Sequence, residues 1–234
     1  MIHWLATDQV ENFPPLSAAL LEPNGLLAVG GDLSPQRLIC AYRCGIFPWF
    51  NDEDPILWWS PDPRMVLFPN ELSISRSLHK LLKKHQYEIR TDVSFREVMQ
   101  ACAEPRKVQA GTWITDEMID AYTTLHQMGI AHSVETWMNG VLVGGLYGIA
   151  LGKMFYGESM FSRVSDASKI AFVHLVKQLE IWGFGMIDCQ MKTRHLGSLG
   201  AREISRDEFM LQLGNLIDVP GRSGTWHFDY AYPG

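Results

Sequence analysis

The sequence predicts an α/β (α+β) fold: a mixed sheet with flanking helices, preceded by a small N-terminal domain. Three observations lead there. Several helix-period segments come before a long stretch of period-two alternation, so helices and strands are interleaved. One further helix separates that stretch from a short strand, which makes the last strand a crossover. The first 62 residues instead break into short turn-bounded pieces rich in Pro and Trp. The expected division is therefore 1–62 and 63–234.

The elements follow in order. "EPNGLLAVGGDLSP" sets a short apolar segment between a Pro-Asn-Gly turn and a Gly-Gly-Asp turn. Ser34 then Pro35 is a helix start, a cap followed by proline at the first helical position, and Gly45 stops that helix. "IFPWFNDEDPILWWSPDPR" holds three tryptophans and four prolines and cannot be one regular element. "RMVLFP" reads as a strand. "SISRSLHKLLKKH" reads as a helix with Ile74, Leu78, Leu81 and Leu82 on its apolar side and Arg76, Lys80, Lys83 and Lys84 as its charge. "DVSFREVMQAC" offers a capping box from Ser94 to Glu97 ahead of Phe95, Val98, Met99 and Cys102. Thr115 opens a helix with two acids in its first turn, stopped at Gly129.

The period then changes to two. An Asn-Gly turn at 139–140 and a second turn at Gly152-Lys153 divide "AHSVETWMNGVLVGGLYGIALGKMFYGES" into a three-stranded antiparallel meander. A helix from about Ser168 to Trp182 carries Leu175, Val176 and Leu179 toward the core. "GMIDCQ" is the crossover strand, and "SRDEFMLQL" is a last helix capped by Ser205 with Glu208. No internal repeat and no low-complexity tract is visible.

Composition narrows the class. The chain has 234 residues, 47% of them hydrophobic, enough for a sizeable core. A formal net charge of -6 gives no support to sequence-independent DNA binding. It leaves RNA open, because charge is uneven: residues 1–60 carry seven acids against two Lys or Arg, and residues 64–110 carry nine Lys or Arg against five acids. Cys40, Cys44, Cys102 and Cys189 form no CxxC pair and lack histidines at zinc spacing, so reduced thiols and no metal are expected. The N-terminus lacks the basic start and apolar run of a signal peptide, and no stretch reaches membrane-spanning length. A cytoplasmic protein with no membrane partner is the expectation.

Two acids stand in apolar strands. Glu158 in "YGESMFSR" is either a hairpin-end acid facing solvent or a cleft acid that receives a substrate cation. A carboxylate desolvated together with a guanidinium would suit the second role. Asp188 in "MIDCQ" alternates with Ile187 and Cys189, which puts it with Gln190 on one face. That pair is either a wet strand end or a carboxylate and amide that orient an amine or polarise a carbonyl. The glycines of "VGGLYG" lie within strands and lack the sequence of a phosphate loop. Ser159 and Ser162 lack a nucleophile elbow, and a Cys189–His195 pair lacks a third group. Trp49, Trp58, Trp59 and Trp113 lie in or beside Pro- and Gly-rich stretches, as lids over a core or as platforms for bases. Arg76, Lys80, Lys83 and Lys84 form either a solvated helix face or a contact for RNA phosphates.

Taken together, "EPNGLLAVGGDLSPQRLICAYRCGIFPWF", "PILWWSPDPR", "GTWIT", "YGESMFSR" and "MIDCQ" resemble the leucyl/phenylalanyl-tRNA–protein transferase family, in order from about residue 12 to 215. The resemblance implies transfer of leucine or phenylalanine, less often methionine, from aminoacyl-tRNA to the α-amine of proteins that begin with Arg or Lys. The product is marked for N-end rule degradation. It also implies an acyl-CoA N-acyltransferase-like sheet in the larger domain, with aminoacyl-tRNA in place of acetyl-CoA and no cofactor. By the same resemblance Asp188 and Gln190 are the catalytic centre, and Glu158 helps hold the acceptor's positive group. Trp49 and Trp113 meet the terminal adenosine of the tRNA, with Tyr42 nearby. Leu146, Met160, Leu175 and Leu179 line the pocket for the transferred side chain, with leucine at 175 and 179 where a relative has phenylalanine. The resemblance ends near 215 and assigns nothing to the tail after it. An Asp with an ordinary pKa near 4 is a poor base for an ammonium, which favours an electrostatic anchor at Asp188. An acyl-CoA-dependent N-acetyltransferase, a non-enzymatic RNA-binding module and an adaptor are the competing classes. Acetyl-CoA binding would mark the first, charged-tRNA binding without product the second, and neither activity the third.

Overall fold

The computed structural model describes residues 2–104 and 114–233. The first sheet is small. Strands β1 (His3–Leu5), β2 (Leu26–Gly30), β3 (Phe47–Pro48) and β4 (Leu57–Trp59) order as β1-β2-β4-β3, with helix α1 (Pro35–Arg43) between β2 and β3. Ser34 caps α1 by accepting from the Arg37 N–H, and Pro35 stands at the first helical position, as the sequence predicts. The Trp- and Pro-rich stretch yields only the short β3 and β4. They are held partly by side chains: Trp58 Nε1 donates to the Gly30 carbonyl at 2.8 Å.

The second sheet has seven strands in the order β11-β5-β10-β9-β8-β7-β6. These are β5 (Arg64–Leu67), β6 (Glu88–Thr91), β7 (Ala131–Met138), β8 (Val141–Leu151), β9 (Met154–Ser162), β10 (Met186–Gln190) and β11 (Arg202–Ile204). The expected meander is β7-β8-β9. Its first turn has positive φ at both Asn139 (51°) and Gly140 (75°), the geometry whose twist matches a hairpin. Helix α5 (Ala167–Ile181) carries the chain from β9 to β10, and these two strands pair in parallel, as a crossover requires. Gly148 answers why β8 is glycine-rich: a Cβ there would lie 2.2 Å from the Tyr156 carbonyl oxygen.

Helices cover both faces. On one side α5 is buried all round its middle and packs Leu175 and Leu179 with Leu146, Phe155, Ile187 and Leu78 of α2 (Arg76–Leu82). On the other side α3 (Phe95–Ala103), α4 (Asp116–Gln127) and α7 (Arg206–Leu216) join the small sheet in one core. That core runs from Leu27, Tyr42 and Trp58 through Met99 and Tyr122 to Tyr156 and Phe209. The tail beyond 217 has no regular structure, yet it packs onto the α5 side. Trp226 is fully buried, stacks on His132 at 3.8 Å between centroids, and its backbone N–H donates to Asp92.

One expectation needs correction. The capping box does not form: the Ser94 side chain caps nothing, and the buried Glu135 carboxylate accepts the N–H groups of Val93 and Ser94 instead. A tertiary acceptor already desolvated in the core wins over a local one. Strands β1, β6 and β11 and the short α6 (Arg194–Gly197) carry too few residues to show a period and are defined by their partners.

Candidate active site

β5, β9 and β10 lie side by side, and their middle is irregular. Pairing of β9 with β8 runs Gly157↔Gly148 and then Ser159↔Tyr147, so Glu158 is an extra residue. Pairing of β10 with β5 runs Asp188↔Val66 and then Gln190↔Met65, so Cys189 is extra there. Two bulges thus face each other across neighbouring strands, a device that re-aims side chains. The second leaves Gln190 in the left-handed region at φ 61°, and its side-chain amide turns to Glu158. The Gln190 Nε2 donates to Glu158 Oε1 at 3.0 Å.

Around this contact the polar groups form one chain. Tyr122 OH of α4 donates to Glu158 Oε2 at 3.2 Å, and it lies 2.5 Å from Tyr42 OH of α1. On the other side, the Gln190 N–H donates to Asp188 Oδ1 at 2.9 Å. Arg64, first residue of β5, grips Asp188 with two bonds, Nε to Oδ1 at 2.9 Å and Nη2 to Oδ2 at 2.6 Å. Its guanidinium sits over the rings of Phe47 and Phe209, 4.6 and 4.7 Å from their centroids. Asp188 is wholly buried, whereas Glu158 keeps 8% of its surface and Gln190 is half-buried.

Burial pushes the Glu158 carboxyl up to about 7, against the pull of the Tyr42 and Tyr122 hydroxyls and the Gln190 amide, with Asp188 adding to the rise. Burial beside Glu158 likewise holds the Tyr42 and Tyr122 phenols well above their usual range. Burial first, then the Asp188 charge, pushes the Cys189 thiol far up. A buried thiol that resists ionising is a weak nucleophile, which weighs against the Cys189–His195 alternative.

The expected site residues fall into four places. Glu158, Gln190, Asp188 and Tyr42 converge, but Asp188 does so through Gln190 and not at an open surface. Leu146 and Met160 face each other across β8 and β9, and Leu175 and Leu179 pack behind them from α5 in the same apolar cluster. Trp49 is 38% exposed, with its ring 5.5 Å from that of Trp59, whose Nε1 donates to the Trp49 carbonyl. Trp113 lies outside the described residues. Arg76, Lys80, Lys83 and Lys84 are exposed on α2 and the turn after it, opposite the buried Leu78 and Leu82.

Sequence reasoning passed over Arg64 and Tyr122. An arginine opening an apolar strand and a tyrosine on the apolar face of α4, one turn from Met118, are both signals of a buried polar partner. An open cavity of about 860 Å³ has walls that include Asp52, Asp54, Glu104, Asp116 and Glu117, and none of the side chains of the Glu158–Gln190–Asp188 chain lines it. Among the described residues no cluster of His, Cys, Asp or Glu is placed to hold a metal ion. No described helix is long and apolar enough to cross a membrane.

Residues 66–214 match the family described as leucyl/phenylalanyl-tRNA protein transferase, and residues 31–62 match its N-terminal domain. The leucyl/phenylalanyl-tRNA–protein transferase of Nitrosomonas europaea is 70% identical over 95% of this chain and 94% of its own. That of Chromobacterium violaceum is 60% identical over 99% of both. The chain belongs to the leucyl/phenylalanyl-tRNA–protein transferase family. It is an aminoacyltransferase. A GCN5-related N-acetyltransferase from Kribbella flavida aligns with this transferase at a TM-score of 0.36 and 13% identity, over 73% of this chain and 61% of that one, too little to carry an argument.

Proposed function

We propose that this transferase moves leucine or phenylalanine, and less readily methionine, from aminoacyl-tRNA to the α-amine of proteins that begin with Arg or Lys, marking them for degradation. The observation that carries the reading is the contact of Gln190 with Glu158 at 3.0 Å, between two bulges and beside an apolar cluster.

The chemistry asks little of the protein. An aminoacyl ester is already activated. The acceptor nitrogen attacks the ester carbonyl, the C–N bond forms, and the bond to the ribose oxygen breaks. The amine proton ends on that oxygen. Glu158, held near neutrality, meets the acceptor's ammonium and takes its proton for the attack. Gln190 orients the amine through its carbonyl oxygen. Asp188 is wholly buried and acts by anchoring Gln190. Alignment of the two reactants accounts for much of the acceleration, since oriented pairs gain roughly 7–11 kcal/mol.

On the donor side, Leu146, Met160, Leu175 and Leu179 form the apolar wall for the transferred side chain. Such walls separate side chains by only about 1–3 kcal/mol per methylene, so methionine is tolerated. Trp49 stacks on the terminal adenine, with Trp113 as its expected partner. Arg76, Lys80, Lys83 and Lys84 attract the tRNA backbone. The direct test is to incubate the protein with radiolabelled leucyl-tRNA and a peptide beginning with Arg. Label in the peptide supports the reading, and label that stays on tRNA overturns it.

A further inference from the structure

We propose that Arg64 is a positioning residue of the transfer reaction: its fork on Asp188 fixes the β10 bulge and thereby aims the Gln190 amide at Glu158. The inference rests on the function proposed above and adds a residue to its site.

The geometry is a series of fixed joints. Arg64 is 1% exposed and Asp188 0%, so neither meets solvent or a polymer substrate. The guanidinium is planar and its two bonds reach the two different oxygens of Asp188, which fixes the carboxylate in both position and rotation. Phe47 and Phe209 close over the guanidinium, so the fork has little freedom. Asp188 Oδ1 then accepts the Gln190 N–H two residues on. That bond spans the extra residue Cys189 and holds Gln190 in a left-handed conformation that a glutamine adopts at a cost. Only from there does Nε2 meet Glu158. Lysine could keep the charge but not the fork, because an ammonium is a point donor on a flexible stem.

The test combines kinetics with a spectroscopic readout of Gln190. In Arg64→Lys, kcat for leucyl transfer falls by roughly 10- to 100-fold, the size expected when a reacting group is displaced by about 1 Å. KM for leucyl-tRNA stays within about twofold. The Gln190 side-chain amide resonance, assigned by its loss in Gln190→Ala, moves to the position of exposed glutamines. A resonance that stays in place, or an unchanged kcat, overturns the proposal. If Arg64→Lys does not fold, Phe209→Leu loosens the same guanidinium from its other side and is read in the same two ways. The resonance arm needs no activity, and wild-type protein is assayed beside the variants. A wild type without product would count against the function and not against the Arg64 fork.

Discussion

Glu158 is a carboxylic acid with three constraints: burial on an extra residue of β9, a tyrosine hydroxyl on one oxygen and an amide on the other. Burial wins and lifts its pKa from 4.5 to about 7. Between those values the folded chain binds a proton that the unfolded chain has released, so stability falls as pH rises across that window, by roughly 3 kcal/mol. Glu158→Gln removes this effect. Its melting temperature should therefore exceed that of the wild type by a margin that grows from pH 5 to pH 8, and thermal scans at the two pH values check it. The same variant should lower kcat/KM for Arg-ended and Ala-ended acceptor peptides alike, because the α-ammonium whose proton Glu158 takes is common to both. Glu158 stood out in the sequence because an acid interrupts an apolar run. Asp188 did so for the same reason, but its partner did not. Nothing in the local pattern of "DPRMVLFP" says that Arg64 meets an acid 124 positions later. The left-handed turn at Gln190 was equally hidden, since alternation predicts a flat strand and says nothing of a bulge.

At the scale of elements, long periodic segments were legible and short ones were not. The meander, α1, α4 and α5 follow from turn chemistry, caps and period. β6 and β11 exist because β7 and β5 offer free edges, which no window of four residues reveals. The capping box at Ser94 failed for a related reason, since Glu135 reaches its N–H groups from another element. α2 and the turn after it present four basic residues against two buried leucines. Replacing Lys80, Lys83 and Lys84 by Ala should weaken tRNA binding and flatten its dependence on salt, by a slope of about 0.7–0.9 for each phosphate no longer neutralised. An affinity titration from low to moderate salt reads this directly, and an unaltered slope would assign that face to solvent alone. The tail is held by Trp226 in the α5-side core, and Trp226→Ala should cost about 3–5 kcal/mol. Chemical denaturation measures it.

Across the whole molecule, we take residues 1–62 as a small N-terminal domain and 63–234 as the larger acyltransferase domain. Tyr42, Phe47 and Trp58 share a core with Tyr122, Tyr156 and Phe209, so the two should unfold in one calorimetric transition and not in two. The site sits on that shared core. Tyr42 and Phe47 come from the first sixty residues and complete the surroundings of Glu158 and Arg64. In the function proposed for this site, Gln190 and Glu158, aimed at each other by two facing bulges, bring a free amine to an aminoacyl ester. The decisive measurement is single-turnover transfer of labelled leucine from leucyl-tRNA to an Arg-ended peptide, comparing wild type with Gln190→Ala at saturating substrates. Product should form with wild type, and the rate should drop by roughly 100-fold in the variant with the donor still bound. Equal rates would contradict a role for Gln190 in the transfer.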